Sequence, residues 1–340
     1  MEKINFTGQQ KTSLIITGES LEHIDRYISA ENVFIVTDIN VLRHYGSIFP
    51  KFPVFAADPG EVSKTVSKAA EICRWLLEND ADRDSFILGI GGGVVTDLAG
   101  YVASTYMRGL RFGFVATSLM AQADASIGGK NGVNIGGYKN IIGTINQPEF
   151  VICDTKLLQT LPDEEFLNGI TEVIKHALIA DASLLSFIEK NTGKILSRDA
   201  AILEQLVYIS VKIKTGIVEL DERESGERRK LNLGHTWGHA VEKITGIPHG
   251  QAVGIGLVFS SGISVKRGLL SSEEKKRIEN ILKGFGLPLN TEADHEIIFE
   301  AMLKDKKKTM QGIRFVLMKG LGDVIVETIP VNELRQYALS

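Results

Sequence analysis

Three histidines that could bind a metal lie close together in the sequence, at His235, His239 and His249. His235 and His239 are four residues apart, so they share one face if the segment is helical. A Gly-Ile-Pro break precedes His249 and could return the chain towards that face. Neutral imidazoles suit Zn²⁺ and similar metals. The spacing predicts a divalent-metal site, with satisfied structural histidines as the alternative.

A carboxylate would complete such a site and leave one position open for substrate or water. Spacing alone does not select this carboxylate. Glu172 is the best-placed candidate because its neighbours Thr171, Val173 and Ile174 belong to a largely apolar helical pattern. An unpaired acid would be unfavourable there.

A glycine loop, Gly89-Ile-Gly91-Gly92-Gly93, follows an apolar run and precedes a helical pattern. Glycine allows close approach of a pyrophosphate to the backbone, and a helix N-terminus attracts anions. The spacing differs from the usual dinucleotide fingerprint, which has two residues between its second and third glycines. Nucleotide binding and a tight turn without a ligand are both compatible with it. Asp97, one turn later, is either near a ligand hydroxyl or a simple partner of the helix dipole.

A second glycine-rich segment runs from Asp124 to Lys130, and Lys139 and Asn140 follow it. Flexible backbone amides combined with lysine charges are suited to a phosphate or a carboxylate. The segment lacks the Gly-Lys-Ser/Thr ending of a Walker loop. We predict an anion-binding loop, and the alternative is a solvated loop with unrelated lysines.

Strand and helix patterns alternate in the first half of the chain, which predicts a mainly parallel sheet with crossover helices. The predicted strands are Val33–Thr37, Phe86–Ile90, Phe112–Ala116 and Phe150–Cys153, and the predicted helices are Ser63–Leu77 and Val94–Ser104.

The second half has mostly helical periodicity. The predicted helices are Glu165–Ile179, Ala200–Val218, Leu231–Ile244, Val253–Arg267 and Glu273–Phe285, followed by strand-like runs at Phe315–Met318 and Val324–Thr328. We therefore predict two domains, 1–158 and 159–340.

The composition is that of an ordinary globular protein: 340 residues, 44% hydrophobic and 24% charged, with a formal net charge of −4. The length suits two domains, and the charge gives no reason to expect a nucleic acid or membrane partner. No uncharged apolar run reaches about 18 residues, so no membrane span is predicted. The N-terminus lacks the apolar region of a signal peptide, and Cys73 and Cys153 read as free thiols, which favours a cytoplasmic protein.

Charged and glycine-rich motifs occur in a fixed order along nearly the whole chain. They are Pro59-Gly60-Glu61 with Lys64, Gly91–Asp97, Thr105–Gly109, Asp124–Lys130, Lys139-Asn140, Glu172–Lys175, Lys214, Asp221–Arg223, Arg228, Asn232–His239, His249-Gly250 and Asp305–Lys307. Each motif is weak alone, but the ordered set is specific. In this set the chain resembles the 3-dehydroquinate synthase family of the shikimate pathway, which belongs to the sugar phosphate cyclases.

The resemblance implies a Rossmann-like α/β N-terminal domain that binds NAD, and a mainly α-helical C-terminal domain that binds metal and substrate. Glu172, His235 and His249 would bind Zn²⁺ or Co²⁺, and His239 would be catalytic instead of a ligand. The implied NAD contacts are Asp38, Asn40, Glu61, Lys64, Gly92, Gly93, Asp97, Thr117, Ser118, Lys130, Lys139, Asp154, Thr160 and Leu161. The implied substrate contacts are Arg108, Asp124, Lys130, Lys139, Asn140, Lys175, Lys214, Arg228, Asn232 and Lys306 or Lys307.

The substrate implied by the resemblance is 3-deoxy-D-arabino-heptulosonate 7-phosphate, and the products are 3-dehydroquinate and phosphate. The family reaction combines transient oxidation by NAD⁺, phosphate elimination, reduction, ring opening and intramolecular aldol closure. The enzyme would thus be a phosphate-eliminating carbon–oxygen lyase of chorismate and aromatic amino acid biosynthesis, and the family implies a homodimer. The alternatives are another sugar phosphate cyclase, of the inosose, valiolone or amino-dehydroquinate type, and a metal-dependent polyol dehydrogenase.

Four residues depart from the family's usual pattern. Thr96 stands where a smaller residue is common, and Ser118 and Asn131 each replace a threonine. Trp237 replaces a phenylalanine. None of these changes removes a charged side chain, so they bear on the fit of the site and not on the reaction.

Overall fold

The computed structural model describes residues 1–8, 11–305 and 312–339. The chain divides into two compact units, which we call unit 1 (Met1–Phe166 and Leu203–Arg223) and unit 2 (Leu167–Ile202 and Glu224–Ser340). The predicted domain division, 1–158 and 159–340, stays a prediction. Across the described ranges, no helix is both long and apolar enough to cross a membrane.

Unit 1 is built from strands and helices that alternate through most of its length. In chain order they are β1 Glu2–Thr7, β2 Thr12–Thr17, β3 Val33–Asp38, α1 Ile39–Tyr45, β4 Val54–Ala57, α2 Val66–Glu78, β5 Phe86–Gly91, α3 Gly93–Thr105, β6 Arg111–Ala116, β7 Lys130–Ile135, β8 Tyr138–Ile145 and β9 Phe150–Cys153.

Seven of these strands form one sheet in the order β1-β2-β9-β6-β5-β3-β4. Every neighbouring pair is parallel except β1 and β2, which are antiparallel at the edge. All six residues of β5 are buried, as expected for a central parallel strand with both faces covered. The predicted α/β fold with a mainly parallel sheet is confirmed.

The order in which the chain adds strands to this sheet reverses between two neighbouring parallel strands, β3 and β5. After β3 the chain passes through α1 to β4 on one side, and after β5 it passes through α3 to β6 on the other. Right-handed crossovers in opposite directions place α1 and α3 on opposite faces of the sheet. This leaves a crevice at the carboxyl ends of β3 and β5, where ligands bind in open α/β sheets.

The predicted anion-binding loop is in part a β-hairpin, which corrects its interpretation as a loop. β7 and β8 pair antiparallel, and the pair Ile135 and Tyr138 closes a two-residue turn. The turn residues Gly136 and Gly137 have φ of 57° and 80°, the left-handed values that a tight hairpin turn of this twist requires.

Unit 2 is mainly helical, as predicted, and ends in a short antiparallel β-ribbon. Its elements are α4 Asp163–Ala180, α5 Ala182–Leu196, α7 His235–Thr245, α8 His249–Lys266, α9 Ser272–Gly284, α10 His295–Asp305, β10 Ile313–Gly320, β11 Asp323–Ile329 and α11 Val331–Leu339, while α6 Ala200–Leu220 lies mostly in unit 1.

Two predicted helices begin later than the sequence indicated. The helix predicted over Ser63–Leu77 begins at Val66, where Thr65 caps it. The prediction of a helix over Leu231–Ile244 is wrong at its start, because a 3₁₀ turn covers Glu227–Asn232 and α7 begins only at His235. Gly234 precedes α7 with φ of 78°, a left-handed conformation that separates the two helices.

Small residues allow α7 and α8 to pack with their backbones almost in contact. A Cβ added to Gly238 would lie 2.8 Å from the Ala252 carbonyl oxygen. A Cβ added to Gly256 would lie 1.9 Å from the Gly234 carbonyl oxygen, which no side chain can tolerate. The approach places the first residues of α8 beside the polar face of α7.

We expect Gly256→Ala to lower the free energy of unfolding by about 1–3 kcal/mol, the usual cost of overpacking, because the added methyl overlaps the Gly234 carbonyl just before α7. Denaturant unfolding measures this change. Gly262→Ala is the matched control in α8, since its added Cβ would meet only the Lys275 Cε atom at 3.9 Å. The control should be neutral or slightly stabilising, and an equal loss in both variants would contradict the close contact.

Candidate functional site

The carboxyl edge of the parallel sheet in unit 1 collects many of the predicted nucleotide residues. Asp38 is the last residue of β3, Gly92 and Gly93 follow β5, and Ser118 follows β6 by two residues. Asp154 comes directly after β9. Since these strands are parallel, their carboxyl ends lie at the same edge. The crevice between β3 and β5, where the strand order reverses, opens at this edge.

The glycine loop has the geometry of an anion-binding turn. Gly92 precedes α3 and Gly93 is its first residue, so the helix begins within the loop. A Cβ on Gly92 would lie 3.2 Å from Ser118 Oγ, and one on Gly91 would lie 2.4 Å from the Val95 Cβ. A tight strand-to-helix turn that leaves backbone amides at a helix N-terminus fits a pyrophosphate.

Two predicted nucleotide residues form a buried ion pair beside this loop. The Lys64 ammonium contacts the Asp97 carboxylate, and their side chains are 7% and 18% exposed. Burial raises the pKa of Asp97, and the adjacent Lys64 charge opposes that shift. Nearby, the Asn134 amide donates a hydrogen bond of 2.7 Å to Glu61. Asp97 is therefore held by a specific cation in addition to its position in the first turns of α3.

The remaining predicted nucleotide residues also have structural partners. Asp38 caps α1 by accepting from the backbone N–H groups of Asn40 and Val41, at 2.9 and 3.0 Å. Asp154 accepts from the Leu21 backbone N–H at 3.0 Å. The Thr160 hydroxyl lies 2.7 Å from the Tyr45 hydroxyl. Leu161, another predicted contact, is the next residue after Thr160. These bonds fix the rim of the sheet edge, and the cofactor roles of these residues stay predictions.

Gln122 is a residue at this edge that the sequence analysis missed. It is fully buried, and its Nε2 donates to the carbonyls of Ala116 (2.9 Å) and Asp154 (2.8 Å). It thereby ties the end of β6 to the end of β9. Its segment, Ala121–Ala125, is a short π-helix, a form common at functional sites. An amide between two alanines was the only signal in the sequence.

The predicted anion-binding residues of unit 1 lie on and near the hairpin. Lys130 begins β7, and the exposed Lys139 and Asn140 lie on β8. The Asn140 backbone N–H donates to Asn134 Oδ1 at 2.8 Å. On α6 the Lys214 ammonium contacts Asp124, so these two predicted residues are also brought together.

Arg108 occupies a different place from the predicted nucleotide residues. It precedes β6, whereas Thr117 and Ser118 follow that strand, so it lies at the amino edge of the sheet. There it lines a cavity of about 420 Å³ together with Arg83 and Arg111. Lys306 and Lys307 lie outside the residues that the structure describes.

The predicted metal ligands come together in unit 2. Glu172 Oε1 lies 3.5 Å from His235 Nε2 and 3.3 Å from His249 Nε2. The His239 ring lies 5.1 Å from the His235 ring, and ring nitrogens of the three histidines lie within 4.8 Å of one another. The Glu172 side chain is only 1% exposed and also contacts the Lys175 ammonium. We call Glu172, His235, His239 and His249 the metal cluster.

The electrostatics of the metal cluster favour cation binding. Burial lowers the pKa of His235 to about 3, so this imidazole is neutral and can donate a lone pair. Burial also opposes protonation of His249, but its contacts with Glu172 and Glu242 prevail and raise its pKa to about 9. A metal ion would take the place of that proton. Buried imidazoles beside one carboxylate are a donor set that fits Zn²⁺.

Glu242 is a second residue that the sequence analysis missed. Its Oε2 lies 2.9 Å from His249 Nδ1, on the side of the ring away from Glu172. A carboxylate at the outer nitrogen orients a metal-binding imidazole and increases its basicity. Spacing could have identified Glu242, because it follows His235 by seven residues and His239 by three, on the same helix face.

Two further predicted substrate residues lie just before α7. Arg228 is buried within the 3₁₀ turn Glu227–Asn232. The Asn232 amide donates a hydrogen bond of 2.6 Å to Glu224, whose φ of 61° is unusual for a residue with a side chain. Asn232 is thus held by a strained loop residue at the entrance to α7.

Two family models match this chain. The 3-dehydroquinate synthase N-terminal model covers residues 54–168, and the 3-dehydroquinate synthase C-terminal model covers residues 169–308. A curated 3-dehydroquinate synthase from Dehalococcoides mccartyi is 40% identical over 337 residues, which is 95% of this chain and 94% of that protein. The chain belongs to the 3-dehydroquinate synthase family. The predicted function is confirmed at this level: the chain is an enzyme of that family, a carbon–oxygen lyase that eliminates phosphate.

Solved structures confirm the fold at lower sequence identity. A 2-deoxy-scyllo-inosose synthase complexed with carbaglucose-6-phosphate, NAD⁺ and Co²⁺ has a TM-score of 0.89 at 22% identity, with 99% of both chains covered. The 2-epi-5-epi-valiolone synthase from Streptomyces hygroscopicus, with NAD⁺ and Zn²⁺ bound, has a TM-score of 0.88 at 24% identity, covering 100% of this chain and 97% of that one.

We expect Glu242→Gln to weaken the affinity for Zn²⁺ or Co²⁺ by about 10–100-fold, because His249 loses the carboxylate at its outer nitrogen. Competition with a chelator measures this affinity without any reference to turnover. Glu292→Gln removes the same charge from an exposed position of unit 2 and serves as the matched control. Equal affinities in the Glu242 variant and the control would rule out the orienting role.

Proposed function

We propose that this enzyme acts on 3-deoxy-D-arabino-heptulosonate 7-phosphate with one bound NAD⁺ and one divalent metal, Zn²⁺ or Co²⁺. The observation that carries the proposal is the metal cluster, in which a fully buried carboxylate faces two imidazoles at 3.3–3.5 Å. The glycine loop at the start of α3 is the observation that supports a bound NAD⁺. Its turn fits a pyrophosphate beside a sheet edge that is lined by predicted nucleotide residues.

Glu172, His235 and His249 hold the metal in this proposal, and Lys175 compensates the buried carboxylate. Bound NAD⁺ would supply a reversible hydride acceptor for the C5 carbon, and the metal would supply Lewis-acid polarisation of the C5 oxygen. His239 lies within the cluster and moves a proton at the substrate, either directly or through water. The NAD contacts are those named above for the carboxyl edge of unit 1, together with Lys130 and Lys139.

The phosphate of the substrate is held by cations and an amide of the hairpin, Lys130, Lys139 and Asn140. Two ammonium groups and an amide donor stabilise the charge that accumulates on the leaving phosphate oxygens. The other proposed substrate contacts are Asp124, Lys175, Lys214, Arg228, Asn232 and Lys306 or Lys307. Arg108 stays a predicted contact only, because it lies at the amino edge of the sheet. This abundance of cations suits a substrate that carries both a carboxylate and a phosphate, in a chain whose net charge is negative.

Gly128-Gly129-Lys130, Arg228 and Asn232 favour the dehydroquinate reaction over that of another sugar phosphate cyclase. We further propose that the enzyme is a cytoplasmic homodimer. Its two cysteines, Cys73 and Cys153, are free thiols, which suits a reducing compartment. The hairpin carries exposed apolar side chains that a second copy of the chain would cover in a homodimer. They are Ile135, Tyr138, Ile141 and Ile145.

Turnover should release phosphate from the heptulosonate phosphate without net accumulation of NADH, because the hydride that is removed in the oxidation returns to the substrate. Phosphate release and the NADH absorbance can be followed together in one assay, with enzyme lacking substrate as the control. Steady growth of NADH without phosphate release would refute the synthase reaction and support a polyol dehydrogenase.

The two histidines of α7 should behave differently when each is replaced. We expect His235→Ala to lose bound metal, and His239→Ala to keep the metal while turnover falls by about 10²–10⁴-fold, the usual contribution of a proton-transfer group. Elemental analysis of dialysed protein measures the metal, and steady-state kinetics measure the rate. Equal metal loss in the two variants would show that His239 is a ligand.

A further inference from the structure

Asn131 departs from the family's usual threonine and is buried at the base of the hairpin, with 5% of its surface exposed. Its Nδ2 donates to two backbone carbonyls, those of Gly129 (2.9 Å) and Asn146 (3.0 Å). The Gly129 carbonyl also accepts from the Asn146 N–H at 2.8 Å. A single side chain thus bridges the entry to β7 and the exit from β8.

Lys130 lies between the two anchored positions. It follows Gly129, which has φ of 71°, and it precedes Asn131 on β7. Because successive residues of a strand point to opposite faces, Asn131 faces inwards while Lys130 faces the other way. The bonds of Asn131 therefore fix the backbone from which the Lys130 ammonium projects.

Helix α3 provides the space that Asn131 needs. A Cβ on Gly100 would lie 2.0 Å from Asn131 Oδ1, so no other residue type fits at position 100 while Asn131 keeps its place. The Asn146 amide donates to Ser104 Oγ at 3.0 Å, near the end of the same helix. The base of the hairpin is thus seated on the helix that begins at the glycine loop.

We propose that Asn131 is a positioning residue for Lys130, and that Gly100 is its structural complement. The inference rests on the proposed role of Lys130 in holding the phosphate. Asn131 does not touch the substrate. It acts by holding the Gly129 carbonyl, and a small displacement of a substrate-binding group can be costly to the reaction.

The test compares Asn131→Ala, Lys130→Met and the double variant by the KM for the heptulosonate phosphate and the inhibition constant of inorganic phosphate. We expect Asn131→Ala to raise both constants about tenfold, within the coupling range of side chains that share one hydrogen-bonded network. In the Lys130→Met background the same replacement should have no further effect, because the two residues act as one unit. An equal factor in both backgrounds would overturn the proposal.

Gly100→Ala provides a second route that leaves Asn131 in place. It should raise the phosphate inhibition constant as Asn131→Ala does, and it should add nothing when Asn131 is already alanine. Asn131→Thr keeps one hydroxyl donor and should recover part of the affinity. If Lys130→Met itself leaves phosphate inhibition unchanged, the proposed role of Lys130 fails; if only the coupling is absent, the role of Lys130 stands and the inference about Asn131 fails.

Discussion

The burial of the Glu172 carboxylate is the constraint on which the arrangement of unit 2 depends. A charged carboxylate in an apolar interior is strongly unfavourable unless opposite charges and hydrogen-bond donors surround it. Lys175, one turn later on α4, provides a cation, and His235 and His249 provide imidazoles from two other helices. Helices α7 and α8 meet through glycines, so the close approach at Gly256 helps to bring the predicted ligands His235 and His249 to Glu172.

Helix α3 has a comparable organising role in unit 1. Its first turn forms the glycine loop, and its middle, at Gly100, receives Asn131 from the hairpin. The Lys64–Asp97 ion pair lies between these two points and attaches the segment before α2 to the same helix. The proposed cofactor loop and the proposed phosphate lysine are therefore positioned by one rigid element, which reduces the number of independent contacts needed to keep them in register.

The sequence was sufficient for features that repeat with a period or concentrate unusual residues. The buried run of β5 and the helix after it follow from hydrophobic patterning, and His235 and Glu172 follow from ligand type and from the cost of an isolated acid. The hairpin was missed because β8 is mostly exposed and lacks an alternating pattern, although Gly136-Gly137 is a turn signal in the sequence. Gln122 was missed because its partner lies at a neighbouring strand end, a contact that only the fold creates. Glu242 shares a helix face with His235 and His239, but its contact with His249 comes from the next helix.

Two of the four residues that depart from the family pattern, Trp237 and Asn131, have a common physical explanation. Trp237 lies on α7 between the histidines in sequence but on the opposite side of the helix, where it stacks on Phe259 with ring centroids 4.2 Å apart. Asn131 likewise lies on the opposite face of β7 from Lys130. In both places the substituted side chain contacts the scaffold. The change can affect the neighbouring predicted site residue only through the backbone. Each of these two side chains has a matching partner in the scaffold, which is Phe259 for Trp237 and Gly100 for Asn131.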